Sequence, residues 1–310
     1  MSRTRNALSV VAAATAVAIA GCGLGPGPGT SDVNLTVTRN FGTAPLGSFT
    51  EQRVPGSETV MRMLERHFQV ATRYGGGFVE SIDGRSGTSS ERDWFFYVNG
   101  VEAAKGAAVT AVHKGDRIWW DLHDWSATDS IPAVVGSFPE PFVNGTGGRR
   151  LPTVLECASE VSHACERVAK ELDAVHVPVA MQAIGTGGSG TDSLTIVVGT
   201  AQDLRVEIVS DLLDQGPRAS GVYARFAGRG GSALELLDPE GDVVRTLGTG
   251  SGLIAATSQN GAPPTWVVTG TTAGGVNAAA AAFSPAALHD HFALAVQGAS
   301  DIPVPVGGSM

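Results

Sequence analysis

The sequence predicts an α+β protein built from two unlike parts, and three observations carry that expectation. One stretch, Asp93 to Trp125, holds four of the five tryptophans and reads as paired aromatic strands. After residue 147 the pattern changes to short apolar strands alternating with helical stripes, the signature of a mixed α/β layer. Between the two lies a segment with Pro132, Pro139 and Pro141 that ends in Asn144-Gly145-Thr146-Gly147-Gly148. At 310 residues the chain has room for two domains, taking roughly 150 residues each as a prior.

The chain opens on a targeting pattern. Arg3 and Arg5 form a basic start, and Ala7 to Ala20 is an apolar run shorter than the ~20 residues a membrane span needs. The run ends Ile19-Ala20-Gly21-Cys22, which is similar to a bacterial lipobox. We therefore expect a lipoprotein signal peptide over 1–21, lipidation of Cys22 and a Gly/Pro tether over 22–32. This places the body on the extracytoplasmic face of the cell membrane, anchored by acyl chains rather than by a spanning helix.

The formal net charge is -9, and loss of the leader removes Arg3 and Arg5 but no acid. An acidic chain without a Lys/Arg cluster argues against nucleic acid as a partner, which requires phosphate neutralisation. Glycine is abundant at 41 residues and charged residues make up 16%, which suits a loop-rich protein with a packed core.

The first part, 33–147, is taken in order. Asn34 to Thr38 alternates and reads as an edge strand. Ser57 to Phe68 reads as a helix with Ser57 as N-cap and a buried stripe of Val60, Met61, Leu64 and Phe68. Phe78 to Ile82 is a short strand closed by Asp83-Gly84. Trp94 to Val98 is an aromatic strand, because such side chains fit a pleated, half-buried surface. Asn99-Gly100 is a turn dipeptide tolerant of positive φ. Lys114-Gly115-Asp116 is a second turn, and Arg117 to Leu122 is the partner strand. Trp119 and Trp120, being adjacent on a strand, must face opposite sides. The outward one is either covered by the second part or exposed as a platform for a planar or apolar ligand. Ile131 to Val135, Phe138 and Phe142 are apolar enough to pack back on this first part.

Trp94-Phe95-Phe96-Tyr97-Val98-Asn99-Gly100-Val101-Glu102, followed by Lys114-Gly115-Asp116-Arg117-Ile118-Trp119-Trp120-Asp121-Leu122, resembles the family DUF4430, a small module related to the C-terminal domain of transcobalamin and intrinsic factor. The resemblance covers Val33 to Trp125. It implies a β-grasp-like module that binds or displays a ligand outside the cytoplasm, a corrinoid-like or other bulky molecule being the cargo it suggests, with a membrane transporter as a further partner. On this reading Trp94, Tyr97, Trp119, Trp120 and Trp125 are the candidate ligand contacts.

The second part, 148–310, has strands at 151–155, 177–184, 194–198, 222–226, 233–237, 243–247, 253–257, 265–269 and 292–296. Helices are expected at 158–175, 201–213, 274–283 and 285–289. Gly185-Thr186-Gly187-Gly188-Ser189-Gly190 matches G-x-G-x-x-G, but a strand rather than a helix follows, so it reads as a turn and not as a phosphate cradle. Thr269 and Thr271, where an apolar strand runs into a glycine loop and then a helix, are further candidate ligand contacts, since open α/β sheets bind at the carboxyl ends of strands. Cys157 and Cys165 outside the cytoplasm are most simply a disulfide. Eight residues of continuous helix would hold them about 12 Å apart, so a bridge needs Cys157 before the helix and Cys165 within it. Two free buried thiols are the alternative.

No G-x-S-x-G, H-E-x-x-H or Ca-loop pattern occurs. We expect no catalytic residues, no metal site and no cofactor. The expectation is a non-enzymatic binding lipoprotein, with a structural or interaction component of the cell envelope as the alternative. Replacing Cys22 by Ser is expected to abolish palmitate labelling and to move the chain from the membrane to the soluble fraction, measured by fractionation and blotting.

Overall fold

The computed structural model describes residues 32–87, 91–186 and 191–307. The leader, Cys22, the tether through Ser31 and Gly187 to Gly190 lie outside the described residues. Two sheets of five and seven strands and two small three-stranded sheets, with six helices among the described residues, form an α+β chain.

The first sheet is built from residues before 125. Its elements are β1 (Val33–Arg39), β2 (Ala44–Glu51), α1 (Val60–His67), β3 (Val70–Arg73), β4 (Phe78–Ile82), β5 (Arg85–Ser86), β6 (Arg92–Val98), β7 (Val101–Glu102) and β8 (Arg117–Asp124). The order is β2-β1-β8-β6-β7, and the central pair β1 and β8 is parallel while the others are antiparallel. α1 covers one face, which makes the β-grasp arrangement. The period of two decides what that face receives. Val33, Leu35 and Val37 of β1, Ile118, Trp120 and Leu122 of β8, and Trp94 of β6 meet Val60, Met61, Met63 and Leu64 of α1. Strands β3, β4 and β5 form a small antiparallel ribbon beside this core.

Asn99 and Gly100 take φ of 55° and 76°, so the predicted turn between β6 and β7 is formed. One expectation is corrected. The helix is capped by Thr59, whose hydroxyl accepts from the Arg62 N–H at 3.3 Å, and not by Ser57. Glu58 is buried and ion-paired with Arg66. β2 went unpredicted because Pro45 and Gly47 break its pattern, features an edge strand tolerates.

The second part contributes β9 (Thr153–Cys157), α2 (Ser162–Ala174), β10 (Val179–Ala183), β11 (Leu194–Thr200), α3 (Ile208–Asp214), α4 (Pro217–Ser220), β12 (Ala224–Ala227), β13 (Ala233–Leu237), β14 (Val243–Leu247), β15 (Ser251–Thr257), β16 (Thr265–Gly270), α5 (Ala273–Ala282), α6 (Pro285–Leu288), β17 (Ala293–Gln297) and β18 (Ser300–Val304). The seven-stranded order is β10-β9-β11-β16-β15-β17-β18, parallel through β16 and antiparallel after it. β18 carries Pro303 and sits at the sheet edge, where a missing N–H is tolerated and where the sequence pattern gave no signal. The expected helix over 201–213 is instead a 3-10 turn, Asp203–Val206, followed by α3. The expected helix over 158–175 likewise opens as a 3-10 turn, Ser159–Val161, before α2. Cys157 at the end of β9 and Cys165 inside α2 form a disulfide, with Cα atoms 6.1 Å apart.

This sheet is buried on both faces, which fits its near-continuous apolar strands. One face packs Leu155, Ile196, Ile254 and Val268 against α2 and α5. The other packs Val197, Leu253, Ala255 and Val267 against α3, the β12-β13-β14 sheet and the first part of the chain. The connector does not simply fold back on the first part, as its apolar residues suggested. Phe138 and Phe142 join the α2/α5 face, within 6.0 and 5.1 Å of the Trp266 ring, while Ile131 and Val134 join the opposite face.

The two parts meet around Phe292. Its ring lies 5.0 Å from Trp119, 5.2 Å from Phe41, 5.3 Å from His123 and 5.6 Å from Tyr97. Phe292→Ala is expected to cost about 3–5 kcal/mol, the usual range for emptying an aromatic core site, and to split urea denaturation into two steps. Trp120→Ala should cost a similar amount but act on the first part alone. Tryptophan fluorescence and circular dichroism followed in parallel distinguish the two.

Candidate functional site

Strand β8 turns one predicted pair of tryptophans into two separate structural elements. Trp120 sits in the α1 core and Trp119 in the core shared with the second part, each about 2% exposed. The Trp119 ring N–H donates to the Thr38 hydroxyl at 2.7 Å. Asp121, on the same face, accepts from the backbone N–H groups of Phe41 at 3.0 Å and Gly42 at 2.9 Å, from the Thr38 hydroxyl, and is 3.0 Å from His123 Nδ1. A Cβ on Gly42, whose φ is +84°, would fall 1.8 Å from the Asp290 carbonyl oxygen, so the turn held by Asp121 admits only glycine there. His123 is stacked 4.4 Å from Phe95 and enclosed by Phe41 and Phe292. The His123–Asp121 pair, two apart and therefore on one face, was not singled out in the sequence. It is sealed from solvent and supports the fold.

Of the two alternatives for the outward tryptophan, cover by the second part is the one found, at Trp119, and neither Trp119 nor Trp120 forms an exposed platform, because both rings are consumed by cores. Tyr97 is buried beside Phe292, its hydroxyl without a hydrogen-bond partner, and burial pushes the phenol well above its ordinary value. Thr269 is fully buried. Thr271 accepts from the Gly250 N–H at 2.9 Å and fastens the turn before β15. A Cβ on Gly275 would fall 2.1 Å from the Ser251 carbonyl oxygen. Backbone therefore packs closely at the carboxyl end of β16, where Thr269 and Thr271 belong to a strand-to-helix junction.

Two of the predicted aromatics do reach a cavity. Trp94, whose ring N–H donates to the Arg85 carbonyl at 2.9 Å, and the partly exposed Trp125 line a cleft of about 450 Å³ with Phe78 and Phe96. Its rim carries Asp93, Glu102, Asp129 and Lys105. Asp93 accepts from the Trp125 ring N–H at 3.1 Å, which pins the indole edge. Glu102 accepts from the Ser130 hydroxyl at 2.6 Å, and burial holds its carboxyl above the ordinary glutamate range. Glu102, Ala103, Ala104 and Asp129 also line an adjoining groove of about 540 Å³ that reaches Arg218 and the turn 258–262 of the second part. Phe78, Phe96, Glu102 and Asp129 were not singled out in the sequence, since nothing in their spacing marks them as converging.

Residues 57–124 match the family DUF4430, a domain of unknown function. The DUF4430 match spans α1 to β8 and includes most of the cleft, while β1 and β2, which complete the sheet, precede it. Among solved structures, one from Ruminococcus gnavus ATCC 29149, provisionally assigned as a metal-binding protein, shares 18% identity over 30% of this chain and 97% of its own, with a TM-score of 0.25. No curated protein matches the chain. Among the described residues no group of three or more His, Cys, Asp or Glu side chains is gathered as metal ligands, and no helix is long and apolar enough to cross a membrane.

Away from the cleft, one further polar cluster stands out. Glu156 of β9 is buried, accepts from the Gln182 amide at 2.8 Å and faces Glu207, which accepts from the Gly185 N–H at 2.8 Å. Burial, and next the neighbouring Glu207 carboxylate, raise the Glu156 carboxyl above its ordinary value. A raised folded-state value means that this site favours folding below the ordinary glutamate range and loses that contribution as pH rises through the raised value. Glu156→Gln should therefore raise the melting temperature at pH 8, and the gain over the parent should shrink steadily toward pH 4.5. Paired thermal melts across that range check it.

Proposed function

We propose that the chain is a lipid-anchored, extracytoplasmic binding protein without enzymatic activity, which captures a bulky small molecule in the cleft between β6 and the 102–106 loop. The observation that carries this reading is the cleft itself: partly exposed aromatic walls and a carboxylate rim, lying mostly within the DUF4430 segment and open toward the second part. Concave, largely apolar sites with a few polar groups are the usual form of ligand pockets. The anchor rests on the Ile19-Ala20-Gly21-Cys22 pattern. A membrane transporter receiving the captured molecule is the partner this arrangement would serve. A corrinoid-like ligand is the first candidate, lying across the cleft and the adjoining groove with one edge against Trp125.

A second reading, a structural or interaction component of the envelope, is favoured by the commitment of Trp119 to the contact between the two parts. It is also favoured by the exposed side chains of Tyr74, at 88%, and Val109, at 70%. Thermal melts of the full chain against a panel led by corrinoids separate the two. A ligand at 100 times its dissociation constant adds about 2.7 kcal/mol of stability. A saturable rise lost in Trp125→Ala supports capture in the cleft. No shift with any member of the panel puts the interaction reading first.

A further inference from the structure

We infer that the cleft between β6 and the 102–106 loop selects an organic cation, a molecule joining an ammonium-type group to an apolar or aromatic body. The inference rests on the cleft being the binding site proposed above and names the class of ligand that site would take.

Three carboxylates, Asp93, Glu102 and Asp129, border the cleft against one lysine, Lys105. The two that are hydrogen-bonded are held by neutral donors, the Trp125 ring N–H and the Ser130 hydroxyl. None of the three is within salt-bridge distance of a lysine or arginine among the described residues; Arg73, which is paired with Glu80, interacts with Asp93 only through its longer-range charge. Lys105, on an exposed loop, can carry its ammonium into water on a flexible stem. Unpaired carboxylates at the edge of a partly desolvated site repel anions and leave a deficit that a cation fills.

The walls have matching chemistry. Aromatic faces carry negative potential and attract an ammonium placed over them, tryptophan most strongly. Trp125 is fixed by its edge to Asp93, so its ring keeps one orientation beside the carboxylates. Trp94, Phe96 and Phe78 extend the apolar surface on which the body of such a molecule would lie. Glu102 is the group whose ionised form a bound cation would favour, because burial alone works against it.

The test uses the full chain at low ionic strength. The probes are benzyltrimethylammonium and its uncharged carbon isostere, neopentylbenzene, followed by tryptophan fluorescence and calorimetry. We expect saturable binding of the cation, at least about tenfold weaker binding of the isostere, and a loss of about tenfold in affinity for the cation in Trp125→Ala and in Glu102→Gln/Asp129→Asn. The paired amide substitutions keep shape and remove charge, so a variant of unchanged far-ultraviolet circular dichroism that binds the cation as the parent does overturns the inference. Equal binding of the isostere, dependent on Trp125, overturns the charge selectivity while leaving the cleft as the site. Failure of both probes alongside a Trp125-dependent corrinoid shift also overturns the cation inference alone. Failure of every probe and every panel member overturns both readings together.

Discussion

Strand β8 has no solvent face, and the rest of the molecule follows from that constraint. Its even-numbered residues Ile118, Trp120 and Leu122 close the α1 core, and Trp119 with Asp121 and His123 faces the second part. A carboxylate on a strand buried on both sides needs internal hydrogen-bond partners. Asp121 finds them by accepting from the turn after β1 and by standing next to His123. That turn in turn presents Phe41 to Phe292. A single carboxylate thus ties the edge of the first sheet to the ring that docks the second.

Much of this was legible in the sequence, and the reasons are physical. Aromatic and β-branched runs over Trp94 to Val98 and Arg117 to Leu122, with turn residues between, mark strands locally, and the structure pairs them as β6 and β8. The helix expected over 158–175 is a local signal too: Val161, Ala164, Val168 and Leu172 recur three and four apart, and all four side chains are buried. The cysteine pairing was legible as the simplest reading of two nearby cysteines in a chain expected outside the cytoplasm, and bond reach then required Cys157 to precede the helix. What the sequence left open was which cover each face receives. Trp119 and Trp120 announced two faces but not that Phe292, far away in the chain, would fill one. The edge strands β2 and β18 escaped because proline and glycine are tolerated where one side of the ladder is unpaired.

The candidate site divides in the same way. Trp94 and Trp125 were among the aromatics expected to contact a ligand, and they line the cleft. Tyr97, Trp119, Trp120 and Thr269 share the chemistry of binding residues but are spent on packing, because a large aromatic ring stabilises a core as well as it recognises a ligand. Glu102 and Asp129 were invisible because their significance is one of convergence: the β7 strand and the connector bring them to one rim, and neither segment carries a periodic signal.

The docking of Phe292 has a consequence for how the protein must be made. The first part is complete in chain by residue 125, yet the face bearing Tyr97 and Trp119 has no cover until a residue near the far end of the polypeptide is delivered. Phe138 and Phe142 are in the same position, waiting on strands β11, β15 and β16. A chain emerging from amino to carboxyl end therefore carries two unfinished apolar surfaces for most of its synthesis. The β-grasp part is in this sense not a transferable cassette. Severed from the second part, it would expose an aromatic face suited to self-association, and its independence as a folding unit ends where β8 begins.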